Sequence, residues 1–320
     1  MVATRKKNCP ASKESPRPDL NVRVTERILT ALRQHIVPWQ QSHHRLMDGT
    51  FESPCNYSSG RRYSGQNLMM LEGNTHDRPY YLTYKQAQAL GGQVQKGAKG
   101  EFIVFWKFDR ETDGVGDRSK RSAYCQYSVV FHVSCIDGIH FDLPERVALA
   151  VADHEREGLN RAEIAVAHYL QREQIAQLPG GLKATYQPLA DNIHMPEKEA
   201  YTHPGGYFKT VFHELIHSTG AAHRLNRPGI VSNTGMRTTE RGLYAGEELS
   251  AELGAALLAM HCGIDQQAGA STENSAAYIG YWIQYLQHEP TAFRNAMNQA
   301  QKAVSYVLGE AANEVEAGEC

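Results

Sequence analysis

The 320-residue sequence contains no apolar run close to the roughly 18 residues that a membrane-spanning helix requires, so we expect no membrane partner. Residues 1–21 are basic, rich in proline and serine, and lack the apolar stretch of a secretory signal, which predicts a disordered tail. The six cysteines form no C-x-x-C pair. This argues against a disulfide framework or a cysteine-rich zinc module and favours reduced thiols in a cytoplasmic protein.

The net charge of −2 conceals two halves of opposite sign. Residues 1–135 carry 20 Lys and Arg against 12 Asp and Glu, a balance of +8. Residues 136–320 carry 13 against 23, a balance of −10. An asymmetry of this size indicates different partners for the two halves, and the chain length also favours two domains.

The pattern of apolar residues predicts an α+β protein. We place an N-terminal α/β domain with an antiparallel sheet over 22–137, a linker over 138–144, a mainly helical domain over 145–310 and a tail over 311–320. Runs rich in β-branched and aromatic residues predict two strands that form a long hairpin, over 101–108 and 124–133. Helical spacing or helix stop signals predict helices over 22–36, 66–71, 83–90, 161–177, 206–219, 244–262 and 278–286.

A metal-binding motif stands in the acidic half, where His213 and His217 flank Glu214 in the pattern H-E-x-x-H. On a helix, residues i and i+4 share one face, so both imidazoles can reach the same metal ion. Glu214 lies beside them as a candidate general base. The apolar neighbours Phe212 and Leu215 favour a buried helix over a surface helix with two solvated histidines.

A catalytic zinc site needs a third protein ligand and one open position. One candidate is His223, because H-E-x-x-H-x-x-G-x-x-H is the metzincin spacing, with Met236 available as a Met-turn. The other is Glu248, one helical turn before Glu252, similar to gluzincins, in which the first acid binds metal and the second holds a ligand histidine. The pair Glu247 and Glu248 is also typical of a helix N-terminus, where the helix dipole favours acids. We favour Glu248, with zinc as the expected ion and manganese as the alternative.

The basic half combines cations with aromatic side chains. Single-strand binders use a basic groove for phosphates and aromatic faces for stacked bases, although solvated surface charges give a similar composition. The glycine-rich segment 91–100 offers backbone N–H groups and two lysines to phosphates, but it lacks the Gly-Lys-Ser/Thr ending of a P-loop, so nucleotide hydrolysis is not indicated. The candidate DNA-binding residues are Arg61, Arg62, Tyr63, Tyr84, Lys85, Lys96 and Lys99.

Several motifs of both halves resemble one known family. The segments 186–196, 213–220, 224–227 and 244–258 resemble the zincin-like metallopeptidase domain of ArdC-type antirestriction proteins. Residues 38–39, 63–67, 82–87, 90–92, 94, 96–97, 99–100 and 104–106 resemble the single-stranded-DNA-binding domain of that family, which also occurs in TraC-type plasmid primases. The resemblance covers roughly residues 22–310.

The resemblance implies a bacterial cytoplasmic protein that binds single-stranded DNA and protects incoming plasmid DNA during conjugation. It adds Asn67 to the candidate DNA-binding residues. It also implies a peptidase whose protein substrate is unknown, a host restriction component being one candidate. In that peptidase, His213, His217 and Glu248 would hold the metal and Glu214 would act as base.

The chain departs from the family at two points. Ala221 stands where the family has a histidine, which indicates that the metzincin spacing of His223 is a coincidence. His132 stands where a strand of the DNA-binding domain has an asparagine. Two alternative functions stay open: a DNA-binding module with a structural, non-proteolytic metal site, and a primase-associated replication protein. The second is less favoured, because the sequence shows no carboxylate cluster for nucleotide polymerisation.

Overall fold

A computed structural model gives the arrangement of most of the chain. It describes residues 20–34, 36–39, 52–72, 76–110, 121–146, 151–181, 183–231, 241–264 and 272–310. The predicted tail 311–320 and all but the last two positions of the tail 1–21 lie outside these residues, as does Met236. Across the described ranges, we find no helix with the length and apolar character needed to cross a membrane.

The basic half is built on a four-stranded sheet in the order β1-β2-β5-β4. β1 and β2 are parallel and the other neighbours are antiparallel. The long hairpin of β4 and β5 pairs Glu101 with Val130 at one end and Arg110 with Arg121 at the other, which confirms the predicted antiparallel hairpin. The strands are β1 (Cys55–Asn56), β2 (Tyr80–Thr83), β3 (Gln93–Val94), β4 (Glu101–Arg110), β5 (Arg121–His132) and β6 (Ile136–Asp137), with β3 and β6 forming a separate pair.

Three helices complete the basic half: α1 (Leu20–Arg33), α2 (Gly65–Glu72) and α3 (Tyr84–Ala89). α1 buries the apolar stripe that its spacing predicts, with Ile28 and Leu32 almost fully covered. α3 begins at a capping box, in which the Thr83 hydroxyl accepts from the Gln86 N–H and the Gln86 side chain accepts from the Thr83 N–H.

The acidic half is mainly helical, as predicted, and also holds a small sheet in the order β7-β9-β8. β9 is parallel to β7 and antiparallel to β8, so β8 lies at an edge. The elements are α4 (Val151–Glu173), β7 (Ala176–Pro179), β8 (Thr185–Gln187), β9 (Asn192–Met195), α5 (Pro204–Thr219), α6 (Pro228–Val231), α7 (Arg241–Cys262), α8 (Thr272–His288) and α9 (Ala292–Leu308).

Three helix predictions in the acidic half need correction. The helices expected from residues 161, 244 and 278 begin earlier, at Val151, Arg241 and Thr272. The helix expected over 161–177 ends at Glu173, because Gln174 adopts a left-handed backbone conformation (φ 58°) and strand β7 begins at Ala176. The small sheet and α9 are absent from the sequence-based prediction. The three strands have only three or four residues each, too few for an alternating pattern to stand out.

The two halves share one hydrophobic cluster. Trp39, from the basic half, packs edge-to-face on Trp282 of α8, with ring centroids 5.5 Å apart. Leu249 and Leu253 of α7 belong to the same cluster, together with Ile28 of α1. The interpretation of Trp39 as a packing residue is therefore confirmed, and α7 contributes side chains to a cluster that both halves share.

The predicted linker 138–144 runs against the basic half. Phe141 and Leu143 pack on its small clusters. Just beyond it, Arg146 donates to Glu52 at 2.6 Å, and Arg78 donates to the other oxygen of the same carboxylate at 2.7 Å. Glu52 is almost fully buried, so this paired carboxylate fixes the start of the acidic half to the sheet.

Candidate metal centre

The first two candidate ligands lie on α5, which is a largely buried helix. It begins with Pro204 in its first turn, and the preceding His203 caps it by accepting from the Gly205 N–H. Its core-facing residues Phe212 and Leu215 are completely covered. His213 and His217 lie one turn apart, with ring centroids 4.6 Å apart, so α5 presents both imidazoles to one point, as their spacing predicts.

The third candidate ligand comes from α7. The Glu248 carboxylate lies 3.6 Å from Nε2 of His213 and 3.6 Å from Nε2 of His217, and the two Nε2 atoms are 3.0 Å apart. Ligands about 2.0–2.2 Å from a shared zinc ion lie at most roughly 4.4 Å from one another, so these separations fit a single ion. Two imidazoles and one carboxylate are a donor set of catalytic zinc sites, and they leave a fourth position for water or substrate.

His223 lies apart from this group. Its side chain is 61% exposed, and its Nε2 lies 3.3 Å from the Asp191 carboxylate. The structure therefore brings Glu248, and not His223, close to His213 and His217, while the identity of the third ligand stays a prediction.

Glu214 is buried beside the three donors. Its carboxylate accepts a hydrogen bond of 2.6 Å from the backbone N–H of Tyr186, which lies in the edge strand β8. The Tyr186 hydroxyl in turn donates to Asp191, and that carboxylate also accepts two hydrogen bonds from Arg224. This network fixes the edge strand, and with it the orientation of Glu214.

Sequence reasoning missed the role of Glu247. It attributed a histidine-holding role to Glu252, whose carboxylate lies 3.7 Å from Nδ1 of His213. The closer contact is on the other imidazole, where Glu247 lies 3.0 Å from Nδ1 of His217. Arg227 pairs with both oxygens of Glu247, at 2.8 and 2.6 Å. The sequence shows Glu247 and Glu248 side by side. It does not show that Glu247 contacts His217 from behind while Glu248 is the candidate ligand, because Glu247 is held by Arg227, a loop residue 20 positions away.

Charges inside the site shift its pKa values strongly. Burial would raise the pKa of Glu247, but hydrogen bonds from Arg227 and His217 outweigh burial and lower it to about 2. Burial disfavours a charged His213, yet the carboxylates of Glu248 and Glu252 raise its pKa to about 10. Burial likewise opposes the ionised form of Glu248, and the two imidazoles lower its pKa. The donor group therefore carries a proton on His213, and a divalent cation would have to displace it.

Most of the predicted DNA-binding side chains lie on the surface of the basic half. The Tyr84 side chain is 42% exposed, and its hydroxyl accepts from Gln93 at 3.2 Å. Tyr63 is half-buried and packs edge-on against Tyr81. The exposed cations are Arg61, Arg62, Lys85, Lys96 and Lys99.

A series of hydrogen bonds connects the segments that carry these candidate DNA-binding residues. The Asn56 N–H donates to the carbonyl of Arg61, and the Asn56 side chain donates to Gln86 at 3.0 Å. Gln86 caps the helix that begins with Tyr84. From Gln93, which contacts Tyr84, the chain runs to the turn at Gly97 (φ 85°), where left-handed backbone favours glycine.

The side chain of Asn67 is directed inward. Its amide donates to the carbonyl of Val104 at 2.6 Å and accepts from the N–H of the same residue at 2.8 Å. These two bonds join α2 to the central hairpin in the manner of a strand pair. The amide nitrogen and oxygen of Asn67 therefore each have a protein partner, and the DNA-binding role that the resemblance implies for this residue stays a prediction.

Comparison with known proteins agrees with this two-part architecture. A family model of zincin-like metallopeptidases matches residues 165–299, and a model of the N-terminal domain of anti-restriction factor ArdC matches residues 18–131. Crystal structures of the ArdC protein from plasmid R388, one metal-free and one bound to Mn(II), cover 92% of this chain and 99% of their own. They share 26% and 30% sequence identity with it, at TM-scores of 0.65 and 0.66.

Sequence relatives cover the same two halves. The uncharacterized protein y4eC of Sinorhizobium fredii is 31% identical, over 90% of this chain and 91% of its own length. Two DNA primases TraC of Escherichia coli are 32% and 30% identical, each over 89% of this chain. The chain spans only 26% and 19% of the length of those two primases.

Proposed function

The chain belongs to the family of ArdC-type antirestriction proteins, and on that premise we propose that it joins a single-stranded-DNA-binding surface to a metal-dependent peptidase. Its role would be to protect incoming plasmid DNA from restriction in a recipient cell. The observation that carries the peptidase proposal is the convergence of His213, His217 and Glu248 within 4.8 Å, with Glu214 on the same helix as the two histidines.

In this proposal His213, His217 and Glu248 hold a divalent cation, zinc by expectation and manganese as the alternative. Such an ion acts as a Lewis acid, which polarises a peptide carbonyl and makes water more acidic. Glu214 takes the proton of the attacking water on its carboxylate and passes it to the leaving amine. The Tyr186 N–H holds that carboxylate in place, and burial around α5 excludes bulk water from it.

Metal content tests the ligand set. Wild type, Glu248→Ala and His223→Ala, purified in parallel without added metal, should be compared by elemental analysis before and after incubation with Zn²⁺ or Mn²⁺. We expect one bound ion per chain in wild type and in His223→Ala, and loss of that ion in Glu248→Ala. Loss in His223→Ala with retention in Glu248→Ala would overturn the assignment.

Peptidase activity is tested through Glu214. Wild type and Glu214→Gln, both loaded with metal, should be compared for cleavage of a quenched-fluorescent peptide library and of restriction enzymes of the recipient. The variant removes the proton acceptor without changing side-chain size, so we expect cleavage to fall at least about 100-fold while DNA affinity stays unchanged. Equal cleavage by both proteins would contradict the role of Glu214.

The DNA-binding part of the proposal rests on the exposed cations around Tyr84 and Lys96. Their net positive charge favours phosphates, and a half-exposed tyrosine offers one face to a base. The opposite charge of the acidic half disfavours DNA there. Filter binding of an oligothymidine in increasing salt would test this, since affinity should fall as salt rises.

A second candidate is a DNA-binding antirestriction protein whose metal stabilises the fold without proteolysis. The hydrogen bond from Tyr186 to Glu214 favours it, because this bond occupies part of the candidate base. Conjugation into a restricting recipient separates the two functions. Glu214→Gln would retain protection if the metal site is structural, and would lose it if proteolysis is required.

A further inference from the structure

Arg227 is a buried cation that forms hydrogen bonds with residues next to the candidate metal ligands, and not with the ligands themselves. Its side chain is 3% exposed. Besides its two bonds to Glu247, it donates to the Thr219 hydroxyl and to the carbonyl of Ile216, both at 2.6 Å. Both partners lie in the last turn of α5, next to His217. Arg227 therefore joins the end of the histidine helix to the carboxylate that contacts the histidine.

Two glycines provide the space for this arrangement. A Cβ atom at Gly220 would lie 3.0 Å from the Arg227 guanidinium and 2.6 Å from Ile230. A Cβ atom at Gly229 would lie 2.5 Å from Cβ of Glu247. Neither glycine has positive φ, so the close approach of neighbouring atoms is the reason that these positions lack a side chain.

The contact between Glu247 and His217 decides which imidazole nitrogen carries the proton. Glu247 is ion-paired with Arg227, and an ionised carboxylate can only accept hydrogen bonds. Nδ1 of His217, at 3.0 Å, must therefore be the protonated nitrogen. Nε2 then presents its lone pair toward His213 and Glu248, which is the state that a metal ligand requires.

We propose that Arg227 and Glu247 are positioning residues that fix His217 in its metal-binding tautomer and orientation before a metal arrives. This inference rests on the proposed metal site, and it concerns residues that touch neither the ion nor the substrate. Glu252 is the contrasting case. Its side chain is 27% exposed, and its carboxylate lies 3.7 Å from Nδ1 of His213, beyond the roughly 3.2 Å of an ordinary N–H···O hydrogen bond.

The isosteric variant Glu247→Gln tests the proposal. Oε1 of Glu247 faces both Nδ1 of His217 and Nη2 of Arg227, while Oε2 faces Nε of Arg227. An amide has one oxygen, so in either orientation its NH₂ group faces a donor of Arg227, and it can face His217 with the oxygen or with the NH₂ group. The amide therefore no longer excludes the tautomer with the proton on Nε2, which blocks metal binding. We expect a shift of the His217 tautomer population toward Nε2–H and a 10- to 100-fold loss of metal affinity.

Two measurements on the full-length protein report the His217 tautomer and the metal affinity. Nitrogen-15 NMR of labelled histidine in the metal-free protein, with the His217 signals assigned from a His217→Gln variant, reports the tautomer. Competition of Zn²⁺ and Mn²⁺ against a chromophoric chelator reports affinity. Glu252→Gln is the control for the tautomer measurement: it removes a carboxylate near His213 and should leave the His217 tautomer unchanged.

The outcomes separate this inference from the metal proposal. If wild type binds no metal but Glu247→Gln still changes the tautomer, the metal proposal fails while the positioning role stands. Unchanged His217 signals and affinity within threefold of wild type would overturn the positioning role. Should Glu247→Gln not fold, Arg227→Lys serves instead. It keeps the charge but loses the two-pronged contact with Glu247, and we expect reduced metal affinity with the Nδ1–H population lowered.

Discussion

Gly254 of α7 lies directly against Ile216 of α5, so close that a Cβ atom on the glycine would stand 2.8 Å from the isoleucine side chain. Ile216 immediately precedes the ligand candidate His217, and Gly254 follows Glu248 by less than two turns. The missing side chain therefore allows α5 and α7 to approach closely enough for imidazoles on one helix and a carboxylate on the other to share one ion.

Replacing this glycine should separate the two helices. Gly254→Ala gains helix propensity but forces Ile216 aside, and we expect the free energy of unfolding to fall by about 1–3 kcal/mol. Metal affinity should fall with it. Gly280→Ala is the control, because a Cβ atom at that helical glycine meets nothing within 4 Å. Gly280→Ala should leave the free energy of unfolding unchanged or raise it by up to about 1 kcal/mol, as measured by urea unfolding. Equal effects of the two variants would contradict the close-approach argument.

Metal binding should release a proton near neutral pH. The neighbouring carboxylates raise the pKa of His213 to about 10, so this imidazole is protonated at pH 7 and must lose its proton to act as a ligand. The affinity for the metal ion should therefore rise about tenfold per pH unit between pH 6 and 9. Calorimetry in two buffers of different ionisation enthalpy measures how many protons are released when the metal binds. Heats that are independent of the buffer would contradict this prediction.

Glu247 should contribute to stability in a defined pH window. Its pKa in the folded protein is about 2, against an ordinary value of 4.5. A carboxyl group with a lowered pKa contributes stability that is fully present above about pH 4.5 and is lost as the pH falls through 2. Urea unfolding of metal-free wild type and Glu247→Gln should show the largest difference above pH 4.5, with the two curves converging in acid. A constant difference down to pH 2 would contradict the assigned shift.

Lys96 and Lys99 should each contribute one phosphate contact to DNA binding, and the two contributions should add. For single strands, each phosphate contact contributes about 0.7 to the slope of log K against log salt, so Lys96→Ala and Lys99→Ala should each lower that slope by about 0.7. Fluorescence anisotropy of a labelled oligothymidine between 50 and 300 mM salt measures it. Lys183→Ala, an exposed lysine of the acidic half, is the control and should leave the slope unchanged. If all three variants behave alike, the surface assignment is wrong.

Asn67 should matter for folding and not for DNA contact. Asn67→Ala leaves the backbone N–H and C=O of Val104 without their side-chain partner, which should cost about 1–3 kcal/mol of unfolding free energy. Oligothymidine affinity of the folded variant, measured well below its melting temperature, should change less than threefold. A tenfold loss of affinity at unchanged stability would restore Asn67 to the DNA surface.

The parts of the fold that were predictable from the sequence are those encoded by local spacing. The four-residue interval between His213 and His217 and the apolar face of α1 belong to single helices, and the hairpin of β4 and β5 follows from two adjacent β-rich runs. Both Glu248 and His223 satisfy a known spacing, so spacing alone did not decide between them. The preference for Glu248 preceded the family resemblance, which then added the departure at Ala221 as a further argument against His223.

The rest depends on contacts between distant parts of the chain. Glu247 could not be distinguished from an ordinary acid at a helix start, since its partner Arg227 comes from the segment between α5 and α6. Asn67 was named as a DNA-binding candidate through the family resemblance, and its bonds to Val104 could not be foreseen because the two residues are 37 positions apart. The predicted helix end at residue 177 was wrong because one left-handed residue, Gln174, stops α4 early.

The cluster around Trp39 and Trp282, which both halves share, has a consequence for recombination between genes that separates the two halves. A recombination event that carried only one half would uncover part of this shared cluster, with Trp39 exposed on one piece or Trp282 on the other. Exposing this apolar surface would carry a cost in stability and solubility, which favours keeping the two halves together. The TraC primases agree with this view, since within their much longer chains the match runs through both halves, over 302 and 301 residues.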